Sequence, residues 1–168
     1  MKKGANPVYR AITGRTFDLS KLSQEERRFI VTVHKMYTKS SEWSKFSDWW
    51  VKEFDKRRLS SEGMAYRICQ DLEARLGIAQ KKVAPPDYRD YLADLIESRY
   101  GSRYKFCKET EVDPGHLSRV FASRSELSLG ALEKVLHALG AALVVQAEDD
   151  LRASTSPEEA SRALAVVV

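Results

Sequence analysis

Residues 102–124, SRYKFCKETEVDPGHLSRVFASR, leave this chain few ways to fold. Asp113-Pro114 marks a helix start. The aspartate is a good N-cap, and proline is harmless at the first helical position, where its missing N–H has no intrahelical partner. The helix that follows can bury Leu117, Val120 and Phe121 and leaves small or polar residues on the opposite face. Upstream, Ser102 starts another helix, to about Thr110. Only a tight turn separates the two, so a polar helix face stands outside a compact core.

At 168 residues the chain has room for one domain or two small ones, and its 43% hydrophobic residues suffice for a core. No run of 18 apolar residues is present, so no membrane span is expected. The start, MKKGANPVYR, is basic but has no apolar stretch behind it, unlike a secretory signal. Cys69 and Cys107 lie far apart, each inside a predicted helix. That fits reduced core thiols in a cytoplasmic protein better than a disulfide scaffold or a zinc site. The net charge of +4 is compatible with nucleic acid but does not require it. Its distribution says more. Arg99–Arg124 holds six basic residues against three acids, whereas the stretch after Gln146 holds five acids against two arginines.

Residues 1–16 contain Gly4, Pro7 and Gly14 and show no period, so a flexible arm is expected. A helix is predicted from Ser20 or Ser23 to about Tyr37, burying Phe29, Ile30, Val33 and Tyr37. Glu26, three residues after Ser23, completes a capping-box pattern. Ser41 begins a second helix to about Lys56, with Trp43, Phe46, Trp50 and Phe54 on one face. A third, over about 61–77, carries Met64, Ile68, Leu72 and Leu76, and Gly77 is expected to stop it. Ala84-Pro85-Pro86 is the best boundary, because consecutive prolines cannot continue a helix. Asp87 then caps a helix to Tyr100, ended by Gly101. Ser128 opens another through Leu139, stopped by Gly140. Ala142-Leu143-Val144-Val145 changes character and can form a short strand, and 157–165 can form one more helix. The expected fold class is all-α. It comprises an N-terminal helical domain over 17–80, a C-terminal helical domain over 84–145 with a short strand at its end, and an acidic tail over 146–168.

A helix that reads DNA must bury one face on its own domain and present the other to base edges. In 113–122 the free face would show His116, Ser118 and Arg119. Arg119 leads, because a guanidinium fork can bond both acceptors of guanine, worth roughly 1–3 kcal/mol of discrimination. The preceding helix would turn its N-terminus to the backbone, where Ser102, Arg103 and Lys105 suit phosphate. Ser123 and Arg124 could grip the backbone on the other side.

Residues 88–139, about a third of the chain, resemble the phage-repressor-type helix-turn-helix domain, the XRE or Cro/repressor family. The words that carry the resemblance are FCKETEVDPGHLSRVFASRSELSLGALEKVLHALG. A small residue, Cys107, sits midway along the first helix of the motif. An apolar residue, Val112, precedes the second, Leu117 and Ser118 follow inside it, and a late leucine-rich helix ends in Leu139-Gly140. The resemblance implies a lambda-repressor-like fold and a regulator that binds double-stranded DNA. Departures are local. The turn position usually filled by glycine is Glu111, which must either accept a left-handed conformation or change the turn. The glycine often seen after the reader helix is Ser123. Pro114 and Gly115 open that helix without a side-chain donor, which shifts base reading onto His116 and Arg119.

Two-fold dimers reading palindromes gain affinity and selectivity, so a homodimer is expected, with the apolar Leu143, Val144 and Val145 as one possible interface. Trp49 lies off the aromatic stripe of its helix. Core is the favoured place for it, and a partner surface is second. Two rival functions remain. One is an antitoxin, with the aromatic N-terminal domain or the acidic residues 148–168 holding a toxin protein. The other is an interaction scaffold that has lost DNA binding. His34 and His137 lack partners at metal spacing, and no cofactor is expected. No phosphate-cradling glycine loop, G-x-S-x-G, H-E-x-x-H or Cys/His nucleophile arrangement is present, so no enzyme is expected.

Overall fold

The computed structural model describes residues 7–39, 42–144 and 156–165. It is mostly helical with one small sheet. Contacts divide the chain into two compact units, Met1–Pro85 with Glu148–Val168, and Pro86–Ala147. The division falls inside the Pro85-Pro86 pair. The second unit is therefore inserted, in sequence, into the first.

The first unit begins with a hairpin where a flexible arm was expected. Strands β1 (Val8–Arg10) and β2 (Thr16–Asp18) pair antiparallel with Tyr9 opposite Phe17. Gly14, at φ +83, lets the connecting turn close, and its N–H bonds Ala11 O at 2.9 Å. Both aromatic rings turn inward, and Tyr9 is fully buried. Burial of two aromatics anchors what the Gly- and Pro-containing sequence suggested would be loose. Residues 1–6 of the expected arm lie outside the described residues.

Helices α1 (Gln24–Lys39), α2 (Trp43–Lys56) and α3 (Met64–Ala79) supply most of the first core. The capping box at Ser23 forms: Glu26 N–H donates to Ser23 Oγ at 3.2 Å and Ser23 N–H to Glu26 Oε2 at 3.0 Å. Phe29 meets Phe54, and Tyr37 meets Phe46, edge to face. Gly77 does not stop α3. It is buried inside the helix, where a Cβ would lie 2.5 Å from Val83 Cγ2. Its role is close packing, and α3 runs on to Ala79.

The acidic C-terminal stretch is also not a free tail. Its helix, α8 (Pro157–Leu164), buries Ala160 and Leu164 in the first core. One side chain explains both corrections. Arg75 on α3 is 1% exposed. Its Nε donates to Asp71 Oδ2 at 2.7 Å, Nη2 to Arg10 O at 2.9 Å and Nη1 to Ser156 O at 3.1 Å. Asp71 accepts in turn from Tyr9 Oη at 2.5 Å and from Ile12 N–H at 2.7 Å. A buried arginine survives only when its charge is paired and its donors are used. Here the partners come from the hairpin and the start of α8. His34 adds a further tie, its Nε2 lying 3.1 Å from Ser161 O.

The second unit contains α4 (Tyr88–Tyr100), α5 (Arg103–Thr110), α6 (Pro114–Phe121) and α7 (Leu129–Ala138). Asp87 caps α4 in a capping box with Asp90, and Gly101 ends it at φ +75. Leu92, Ile96, Phe106, Cys107, Leu117, Val135, Leu136 and Leu139 form its core. The short strand expected over 142–145 does not form at 142–144, which carry no regular structure, and Val145 lies outside the described residues. Without a neighbouring strand these backbone groups have no ladder to join. Cys69 and Cys107 are both buried and unbridged. Among the described residues, no helix is long and apolar enough to cross a membrane.

Candidate nucleic-acid interface

The segment singled out by sequence folds as two eight-residue helices joined by a three-residue turn, Glu111 to Asp113. Phe106 and Cys107 hold α5 down, while Leu117 and Val120 hold α6. Glu111 takes the left-handed route, at φ +58, ψ +17. Asp113 caps α6 by accepting from His116 N–H, and Pro114 occupies the first helical position.

The far end of α6 closes in a Schellman motif. Ser123 N–H donates to Val120 O at 3.0 Å, and Arg124 N–H to Arg119 O at 2.8 Å. That geometry needs a left-handed residue at 123, and Ser123 has φ +56. The loop beyond is tied to α4. Tyr88 Oη donates to Glu126 Oε2 at 2.7 Å, and Arg89 forms an ion pair with the same carboxylate. These contacts hold the chain where it leaves α6.

Arg119 stands at the centre of the outward face. Its Nη1 would be 3.6 Å from a Cβ at Gly115, so the guanidinium runs back along α6 toward the helix start. Ser118 is exposed and His116 half-buried. At about 100° per residue they lie roughly 160° apart, on opposite flanks of Arg119. The three predicted base-contact residues therefore do not share one narrow face. Gly115 and Ala122 are the neighbours Arg119 has on the exposed arc, both without polar side chains.

The predicted phosphate residues are placed unevenly. Ser102 caps α5 by accepting from Lys105 N–H at 3.2 Å, which leaves its own hydroxyl hydrogen to donate elsewhere. It borders a shallow depression of about 190 Å³ at the α4–α5 corner, lined by Ala93, Ile96, Glu97, Gly101, Ser102 and Arg103. Arg103 lies over the Phe121 ring, 4.6 Å from its centroid, and so ties the start of α5 to the end of α6. Lys105 and Arg124 are exposed. Sequence reasoning missed Tyr104, a 74% exposed aromatic between Arg103 and Lys105. The signal was its place about 160° round the helix from the buried Phe106.

The remaining candidates are structural or simply exposed. Trp49 is half-buried and packs on the first core, its ring 6.5 Å from Phe46. Leu143 and Val144 are exposed. Burial pushes the Cys69 and Cys107 thiols up, away from reactive thiolate. No cluster of metal-binding side chains occurs among the described residues. Compared with known proteins, the chain matches no family model, no curated protein and no solved structure.

Proposed function

We propose that α5, the turn and α6 form a helix-turn-helix of the phage-repressor type, and that the protein is a sequence-specific, DNA-binding transcriptional regulator. The observation that carries this is backbone geometry. At the two positions where the family uses glycine, Glu111 and Ser123, the chain is left-handed despite carrying other residues. A non-glycine residue enters that region reluctantly. Left-handed backbone at both ends of the turn–helix unit supports this reading.

In this proposal α6 enters the major groove, Arg119 reads a guanine, and His116 or Ser118 meets the groove wall on its own side. The N-terminus of α5 and the residues after α6 hold phosphates on either side. A dimer on a palindrome doubles the contact, with exposed Leu143 and Val144 available to the interface. Regulation would be by occupancy near a promoter. The antitoxin alternative draws no support from α8, whose apolar residues are buried on their own chain.

The test is selection from a random duplex pool at near-physiological salt, with wild type beside Arg119→Ala. An enriched palindrome that collapses in the variant supports the proposal. Only weak, salt-sensitive binding with no enriched sequence would sink it.

A further inference from the structure

Charge is divided unevenly along the chain. The first unit, residues 1–85 with 148–168, holds 20 lysines and arginines against 15 aspartates and glutamates, a surplus of five. Residues 86–147 hold eight against nine, a deficit of one. The proposed reader unit is near neutral overall, its basic surplus of three confined to residues 99–124, while the first unit carries the larger net positive charge. DNA affinity and its salt dependence grow with the number of phosphates neutralised. A reader with a surplus of three leaves part of that attraction to be supplied from elsewhere in the chain.

The cations of the first unit are ordered. On α2, Lys45, Trp49, Lys52 and Lys56 recur at steps of four, three and four, within an arc of about 60°. On α1, Arg28, Lys35 and Lys39 fall within about 40°. The two helices pack on each other through Phe29–Phe54 and Tyr37–Phe46, at ring separations of 5.6 and 5.3 Å. Arg28 and Lys45 are bonded to Glu25 and Glu42. Lys35, Lys39, Lys52 and Lys56 are exposed and make no ion pair among the described residues. Asp48 and Asp55 lie to one side of the α2 stripe, and Glu53, paired with Arg57, borders it on the Trp49 side. The Trp49 indole is steadied by Phe46, and its N–H makes no hydrogen bond among the described residues. Apart from Glu42, bonded to Lys45, and Glu53, bonded to Arg57, the α2 stripe offers donors, and phosphodiester oxygens are acceptors only.

We infer that the outward sides of α1 and α2, each opposite its helix's core residues, contact DNA and grip the phosphate backbone without reading sequence, through Lys35, Lys39, Lys52, Lys56 and the Trp49 indole. This rests on the proposal that the protein binds DNA, but not on which residues read bases. Sequence preference would come from α6 and electrostatic affinity largely from α1 and α2.

The experiment uses the full chain and a duplex carrying the selected site, or random-sequence duplex if none is selected. Binding is titrated from low to high salt for wild type, Arg119→Ala and the fourfold variant Lys35→Gln, Lys39→Gln, Lys52→Gln, Lys56→Gln. All four lysines are exposed, and tryptophan fluorescence checks that the unit stays folded. The fourfold variant is expected to flatten the slope of log K against log salt by up to about 3.6, at about 0.9 per phosphate, with its sequence preference intact. Arg119→Ala should lose preference and change the slope by no more than about one. An unchanged slope in the fourfold variant, with Arg119→Ala behaving as expected, overturns this inference and leaves the reader standing. A flattened slope in a protein that selects no sequence supports the contacts by α1 and α2 and removes the reader. Absence of salt-sensitive DNA binding by wild type overturns both.

Discussion

Replacing Glu111 or Ser123 with glycine should stabilise the second unit. Both residues are left-handed, at φ +58 and +56. Both side chains are exposed and make no hydrogen bond or ion pair among the described residues, so truncation removes no contact. The left-handed region costs an L residue about 1–2 kcal/mol. Glycine's greater freedom in the unfolded chain offsets about 0.4–1 kcal/mol of the relief. The net gain is about 0.5–1 kcal/mol at each position, which at RT of about 0.59 kcal/mol slows amide exchange through local opening some two- to fivefold. Gly101→Ala is the control of opposite sign. It lies at φ +75 with nothing within 4 Å of an added Cβ, so only backbone strain acts. All three tryptophans, Trp43, Trp49 and Trp50, lie in the first unit, so fluorescence does not report on this change. Native-state exchange at the amides of Phe106, Cys107, Leu117 and Val120 does. If Glu111→Gly leaves protection unchanged or lowers it while Gly101→Ala lowers it as expected, residue 111 is not left-handed and the turn takes another path.

The Arg75 hub yields two further expectations. Arg75→Met leaves Asp71 buried beside Tyr9 without its cation, and should cost about 3–5 kcal/mol in a urea melt followed by tryptophan fluorescence. A cost below about 1 kcal/mol would mean that the hairpin and α8 are held by apolar contacts alone. Tyr9 is pushed well above its usual ionisation, first by burial and then by the adjacent Asp71 carboxylate. Unfolded Tyr9 ionises near pH 10 while the folded residue stays neutral beyond it, so its share of stability is intact below about pH 10 and declines above it. Tyr9→Phe should shrink the fall in urea midpoint between about pH 10 and pH 11, and an identical alkaline slope in the variant would refute the assignment.

How much was legible in the sequence depended on how local the cause was. The helices of the second unit were found nearly to the residue because each carries its own signal: Asp87, Ser102, Asp113 and Ser128 as caps, and Gly101 and Gly140 as left-handed ends. The hairpin was missed because three-residue strands are too short to show alternation, and what orders them is Asp71, more than fifty residues away. The docking of α8 was missed for the same reason, since Arg75 reaches Ser156 across 81 positions. Gly77 was misjudged because its small size serves a contact with Val83 rather than a backbone turn. In the candidate site, the exposure of Arg119 and the outward face of α6 followed from periodicity. The splitting of His116 and Ser118 to opposite flanks followed from the same 100° step but was hidden by treating half the helix as one face.

The uneven charge is what the two tasks proposed for this chain would require. Base discrimination comes from short-range forks and contacts whose strength depends on fit. Attraction to phosphate is long-ranged and indifferent to sequence. A reader crowded with cations would hold every duplex strongly, and each correct base would add little by comparison. In the reader unit, near neutral overall, Glu109, Glu111 and Asp113 stand exposed at the turn and oppose phosphates of a duplex that does not fit. Capture can then be left to lysines on α1 and α2, whose replacement should change how tightly the protein holds DNA and leave unchanged which DNA it selects.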